Sequence, residues 1–144
     1  MSFVIVIHIM KKIVYVFGNE DVEMDAKTFE YVEKLKHDFD KLEFVRVSPN
    51  SDVPFSNEED VVIFDTVLGI ENIHIFSEKD IDKVQLSPRN SVHDFDLGFQ
   101  IKYLLKLGKL KKISIIGIPM NKHVDYSSIQ ETFRKFVAQD MHGS

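Results

Sequence analysis

Cysteine is absent from this chain of 144 residues, which excludes disulfides, thiolate metal sites and cysteine nucleophiles. Its absence suits a reducing compartment, and we expect the protein to be cytoplasmic. Basic residues are also scarce relative to acidic ones, 18 against 23, which gives a formal net charge of −5. Nucleic acids and anionic membranes are bound largely through Lys and Arg, so we expect no nucleic-acid partner and no membrane partner.

Several sequence motifs with known chemistry are missing as well. The Gly18-Asn19 pair lacks the glycine spacing that lets a backbone approach a pyrophosphate, and no Gly-rich loop ends in Lys-Ser or Lys-Thr. The Gly-x-Ser-x-Gly elbow of serine hydrolases and the His-Glu-x-x-His motif of zinc proteases are also absent. A dinucleotide cofactor, a nucleoside triphosphate and these two hydrolase mechanisms are therefore disfavoured.

The hydrophobic pattern alternates between apolar runs and helix-period segments. With 44% hydrophobic and 28% charged residues, the composition is that of a soluble globular protein, and we expect one domain over residues 1–144. The alternation predicts an α/β fold of three layers, with a mostly parallel central sheet of about five strands and helices on both faces. Strands are predicted near 13–17, 42–47, 61–64, 73–76 and 113–118, and helices near 25–39, 91–108 and 128–137. The last of these helices is expected to be capped by Ser128 with Glu131.

The apolar first ten residues allow two interpretations. They are too short to span a bilayer and lack the basic start and the cleavage site of a secretory signal. Residues 1–9 are expected to be either an extra strand or an over-long gene start.

Three residues able to bind a metal lie where a strand passes into a loop or helix. Asp25 follows the first strand by way of the Gly18-Asn19 turn, Asp65 is predicted to end the third strand, and His93 is predicted to open a helix. Ligands bind open α/β sheets in the crevice beyond the carboxyl ends of the strands. Two carboxylates and an imidazole meeting there would suit a borderline divalent cation.

Each of the three residues also has a purely structural interpretation. Asp25 could be a helix N-cap, Asp65 could accept loop amides, and His93 could be hydrogen-bonded to a neighbouring loop. Asp21 and Glu23 could replace Asp25 as ligand. Other candidates are weaker: His37 and His74 are expected at the surface or in the core, His123 and Asp125 could reach the same edge, and Phe95 and Phe99 are expected to pack.

The order of these pieces resembles the nickel–iron hydrogenase maturation endopeptidases over roughly residues 12 to 120. That family has a Gly-Asn turn followed six residues later by an acidic ligand, as Gly18-Asn19 is followed by Asp25. An aspartate after an apolar strand matches Asp65, and a Ser-x-His motif matches Ser91-Val-His93. The segment ending at Pro119 is similar to the family's Gly-Ile-Gln-Pro segment with one residue missing.

The resemblance implies a phosphorylase/hydrolase-like fold and a monomeric endopeptidase. Such an enzyme removes the C-terminal extension of a hydrogenase large-subunit precursor after nickel insertion, with Asp25, Asp65 and His93 as metal-binding and catalytic residues. Nickel would be borne by the substrate or bound at the site. Met24 and the short segment 48–57 depart from the family pattern, so a relative that binds nickel or the precursor without cutting is the alternative. A flavodoxin-like or receiver-like domain without metal is a third interpretation.

Overall fold

The computed structural model describes residues 11–18, 26–47, 53–86 and 97–142. Within them the strands are β1 (Lys12–Phe17), β2 (Leu42–Val47), β3 (Asp60–Leu68), β4 (His74–Ser77), β5 (Gln85–Leu86) and β6 (Lys112–Pro119). The helices are α1 (Lys27–Asp38), α2 (Leu97–Lys106) and α3 (Tyr126–His142), and a 3₁₀ turn spans Glu78–Asp80. None of the described helices is long and apolar enough to cross a bilayer.

The strands form one mixed sheet in the order β2-β1-β3-β6-β4, with β5 added at the end of β3. The pairs β1–β2, β1–β3 and β3–β6 are parallel, whereas β4 runs antiparallel to β6 and β5 antiparallel to β3. The predicted α/β architecture is confirmed. The sheet has a sixth strand because the two residues of β5 pair with Val67 and Leu68.

Each face of the sheet carries its own hydrophobic core, so the architecture has the three predicted layers. On one face, alternate strand residues such as Val14 and Phe64 pack against α1 and α3, with Phe133 fully buried at the centre. On the other face, Tyr15 and Ile63 pack against α2. Because side chains of a strand alternate between faces, the continuous apolar runs of β3 and β6 serve both cores at once.

The helix patterns locate α1 and α3 correctly, but the start of α3 differs from the prediction. The expected cap by Ser128 with Glu131 is wrong, because the helix already begins at Tyr126 and Ser128 lies inside its first turn. The backbone N–H groups of Ser128 and Ile129 both donate to the carbonyl of Asp125. Glu131 instead pairs with Arg134 along the helix surface. The capping pattern was therefore shifted by about one turn from the true start.

The expectation that Phe99 packs inside the protein is also wrong. Its side chain is 64% exposed on the outer surface of α2, where its ring stacks on that of Tyr103. The buried positions of α2 are Leu97, Ile101 and Leu104. Only one side of a helix can face the sheet, and Phe99 lies outside the row of buried positions on that side. Phe95 and residues 1–10 lie outside the described residues.

Candidate functional site

The strand order reverses direction between β1 and β3. From β1 the chain passes through α1 to β2 on one side, and it then returns to place β3 on the other side of β1. Helix α1 packs on one face of the sheet and α2 on the opposite face. A crevice at the carboxyl ends of two such strands is where open α/β sheets bind ligands. For this strand order the rule predicts a ligand position between the carboxyl ends of β1 and β3.

Asp65 lies at this position. The prediction that it ends its strand is wrong, because β3 continues through Leu68 by pairing with β6 and β5. The pairing of β3 with β1, however, stops at Phe64, so Asp65 is the first residue of β3 beyond the paired stretch. Strands β5 and β6 thus extend β3 beyond Phe64, the last residue of β3 that pairs with β1.

The carboxyl group of Asp65 is buried, with 3% of the residue exposed. Its Oδ1 atom accepts a hydrogen bond of 2.8 Å from the backbone N–H of Thr66. The structural interpretation of Asp65 required hydrogen bonds from backbone amides of a loop. This bond does come from a backbone amide, but the amide belongs to β3 itself and not to a loop. A buried carboxylate needs hydrogen bonds or a cation to offset its desolvation. Alternation along β3 places Asp65 on the face that holds Ile63, Val67 and helix α2.

Gly117 of β6 is the register partner of Asp65. A Cβ atom built on Gly117 would come within 2.5 Å of Cγ2 of Val67 and 3.3 Å of the ring of Phe76. The two side chains therefore occupy the space beside the glycine, and only hydrogen fits there. The sequence pattern did not single out Gly117 as a packing requirement, because Val67 and Phe76 approach it from two other strands.

Thr28 fixes the start of α1 against the end of β1. Its side chain is completely buried, and its hydroxyl donates to the carbonyl oxygen of Phe17 over 2.8 Å. The N-cap position of α1 is held by Ala26, which offers no side-chain acceptor. Thr28 was missed by the sequence analysis. The available signal was its place four residues before the buried Val32, on the side of the helix that faces the sheet.

The other two predicted ligands, Asp25 and His93, lie outside the described residues, as do Asp21 and Glu23. Their convergence with Asp65 therefore stays a prediction. Among the residues that the structure describes, no group of three or more His, Asp and Glu side chains could hold a metal ion. Of the three predicted ligands, Asp65 is the one whose position is described, and it lies toward the carboxyl ends of the parallel strands, as expected.

The weaker candidates are surface residues. His37 and His74 are exposed, as expected for structural histidines. His123 and Asp125 pair with each other at 3.7 Å, with about four-fifths of each side chain exposed. A solvent-exposed pair of this kind contributes little binding energy. These residues belong to the outer surface of the protein.

Exposed polar contacts link the loops on this side of the sheet. The ammonium group of Lys27, at the start of α1, donates to the carbonyl of Lys122 over 3.2 Å. Lys122 in turn donates to Glu71 over 2.6 Å, and this hydrogen bond lowers the pKa of the Glu71 carboxyl from its ordinary value. The connectors that follow β1, β3 and β6 are thereby joined to one another.

Solved structures with a similar fold are known. One is a hydrogenase 2 maturation peptidase from Thaumarchaeota archaeon SCGC_AB-539-E09, with a TM-score of 0.48, 14% identity, and coverage of 92% of this chain and 99% of that one. Another is the [NiFe] hydrogenase maturation protease HycI from Thermococcus kodakarensis KOD1, with a TM-score of 0.46, 16% identity, and coverage of 93% and 97%. Both of these structures are hydrogenase maturation peptidases.

A third similar structure is an uncharacterized protein from Wolinella succinogenes. Its TM-score is 0.50 at 14% identity, with 92% of this chain and 97% of that chain covered. At this identity the likeness concerns the fold alone. No protein-family model matches the sequence, and no curated protein matches it.

Proposed function

We propose that this protein is an endopeptidase that removes the C-terminal extension of a nickel–iron hydrogenase large-subunit precursor after nickel insertion. Asp25, Asp65 and His93 are the residues proposed to bind the substrate-borne nickel and to carry out cleavage. The observation that carries the proposal is the buried carboxylate of Asp65 at the strand-order reversal between β1 and β3. Sequence motifs that resemble this family after β1, on β3 and before α2 add to it.

The position of Asp65 supports a role beyond folding. A purely apolar residue would satisfy the core at this point, since Ile63 and Val67 on the same face are both buried. Keeping a carboxylate there costs desolvation energy, which hydrogen bonds such as the one from the Thr66 N–H offset in part. Residues that carry such a cost are concentrated at functional sites.

The donor atoms suit the proposed ion. Nickel(II) is a borderline cation that accepts carboxylate oxygen and imidazole nitrogen, and a chain without cysteine has no thiolate to offer it. The Thr66 N–H orients Oδ1 of Asp65, in the way that hydrogen bonds from surrounding groups orient metal ligands in general. A divalent cation at this position would supply Lewis-acid polarisation of the scissile carbonyl group.

The direct test is incubation with a nickel-loaded large-subunit precursor, read by mass spectrometry. The wild-type protein is expected to shorten the precursor at one peptide bond. Asp65→Asn keeps the side-chain shape and an oxygen that can accept from Thr66, but it removes the negative charge. We expect this variant to fold and to lose at least about a hundredfold in rate, the size of a typical general-base or ligand contribution. Asp25→Ala and His93→Ala should do the same.

Asp60→Asn is the matched control, because Asp60 lies on the same strand at its other end and pairs with Lys12 at the surface. It should process the precursor at the wild-type rate. An intact precursor after incubation with wild-type protein would reject the endopeptidase. If calorimetry then showed binding of nickel or precursor without cleavage, the non-cutting relative would take its place.

A further inference from the structure

Helix α2 and the turn directly after it carry an exposed apolar stripe formed by Phe99, Tyr103 and Leu107. These three side chains are 64%, 55% and 50% exposed, and they are the large hydrophobic side chains that stand exposed within the described residues. They follow one another at intervals of four, so they lie in a row along one side of the helix. The rings of Phe99 and Tyr103 are stacked, with centroids 6.4 Å apart and an angle of 11° between their planes.

The stripe lies in a segment of unusual charge. Residues 97–112 contain five lysines and no acidic residue, although the whole chain has a net charge of −5. Lys102 pairs with Asp82 at 3.6 Å; the Lys102 side chain is about half exposed and that of Asp82 is largely exposed. Lys106 lies next to the apolar row and forms no ion pair with any described residue. The surface therefore offers stacked aromatic rings beside an uncompensated positive charge.

The stripe also begins on the side of the sheet that holds the candidate site. Helix α2 packs on the same face of the sheet toward which Asp65 projects, and Leu97 at its described start belongs to the same core as Val67. The chain enters β6 at its amino end soon after α2, so the start of α2 lies on the side of the carboxyl ends of the strands. The stripe runs from there along the outer surface of the protein.

We infer that the α2 stripe is the surface on which the protein substrate docks, through a segment that carries apolar side chains flanked by carboxylates. This inference rests on the proposed function, since it extends the site from the cleaved bond to the body of the precursor. Aromatic side chains are enriched at the centres of protein interfaces and among the residues that dominate binding energy, and the lysines favour an acidic partner. Because α2 packs on the face toward which Asp65 projects and starts on the side of the carboxyl ends of the strands, a substrate held at the candidate site is favoured as the occupant.

The test combines precursor binding by interferometry with processing kinetics. The double variant Phe99→Ser, Tyr103→Ser should raise both Kd and KM about tenfold or more and leave kcat unchanged, because truncation of two aromatic anchors weakens docking but not chemistry. Lys106→Glu should also raise KM and should remove the weakening by salt that the wild-type protein shows. Lys135→Glu is the matched control. Lys135 is likewise exposed on a helix, far along the chain on α3, and this variant should behave as wild type.

The outcomes separate this inference from the proposed function. Wild-type processing with unchanged KM in the double variant would overturn docking on α2 and leave the endopeptidase standing. If the wild-type protein bound the precursor without cutting it, and the double variant bound it more weakly, the docking surface would be supported and the endopeptidase would be rejected. A wild-type protein that neither binds nor cuts the precursor would overturn both. Binding to phosphatidylserine vesicles or to DNA, lost in the double variant, would overturn the choice of a protein as the occupant.

Discussion

Substitution of Gly117 by alanine tests the packing beside Asp65. The new Cβ would lie 2.5 Å from Cγ2 of Val67, whereas ordinary contacts between such atoms begin near 3.4 Å. Val67 has little freedom to move away, because its β-branched side chain is stiff and the residue is 1% exposed between two strands. A ring carbon of Phe76 also lies 3.3 Å from the new Cβ and leaves little further room for it.

The expected magnitude combines two opposing effects. Overpacking of a closed core by one methyl group costs about 1–3 kcal/mol. Replacing glycine by alanine where φ is compatible stabilises by about 0.4–1 kcal/mol, because the unfolded chain loses freedom. The overpacking is larger, so Gly117→Ala should lower the free energy of unfolding by about 1–2 kcal/mol. The accompanying Val67→Ala substitution removes the clashing methyl groups and should make the double variant more stable than the two single effects predict.

Urea unfolding followed by circular dichroism measures these differences. An unchanged slope of the transition indicates that a shift of the midpoint reports stability. Gly108→Ala is the control, because Gly108 has φ of 75° with nothing within 4 Å of the new Cβ. It should destabilise through backbone strain, and Val67→Ala should not rescue it. The packing explanation is refuted if Gly117→Ala leaves the midpoint unchanged or raises it, or if Val67→Ala gives no recovery.

Three further outcomes follow from buried groups. Thr28→Val should lower the free energy of unfolding by about 1–3 kcal/mol, because the carbonyl of Phe17 loses a buried donor, whereas Thr28→Ser should retain most of the stability; denaturant titration distinguishes the two. Burial makes the largest contribution to raising the pKa of Tyr15, and the Glu58 carboxylate that accepts from its hydroxyl raises this pKa further. The contribution of Tyr15 to the free energy of unfolding is therefore fully present below the ordinary pKa of tyrosine and is lost as pH rises through the pKa of the folded state. Ultraviolet titration of Glu58→Gln should show the Tyr15 pKa moving down toward the ordinary value while staying above it, and no movement would contradict the assigned partner. Leu35→Ala, at a side chain with no exposure, should cost about 2–5 kcal/mol in the same unfolding assay, and a change near zero would show that α1 does not pack as described.

The parts of the fold that follow from local pattern were predicted well. Helix α1 and strand β2 fall where the apolar spacing placed them, since their partners lie on one regular face. The end of α2 was also found, because Gly108 takes the positive φ that terminates a helix. These features depend on residues a few positions apart, which a single sequence records directly.

In the candidate site, too, the local features were predicted from the sequence and the features that depend on distant segments were not. The sequence singled out Asp65 because a carboxylate inside an apolar run is costly, and the structure places that carboxylate at the strand-order reversal. It did not indicate that β3 continues to Leu68, since the extension depends on pairing with β6 and with Gln85 and Leu86 of β5, which come from distant segments. The exposed position of Phe99 was missed for a related reason: its apolar character alone does not say which side of α2 meets the sheet.

The sequence by itself determined the layered α/β architecture and the chemistry available to the chain: carboxylates and imidazoles, no thiolates, and one costly aspartate on the central strand. Tertiary structure alone decided that β1 and β3 become neighbours, that Thr28 closes onto Phe17, and that Gly117 has room for no more than hydrogen. The physical reason is the range of the interactions. Periodicity and residue type act locally along the chain, whereas register, burial and close packing depend on segments that meet only when the sheet has formed.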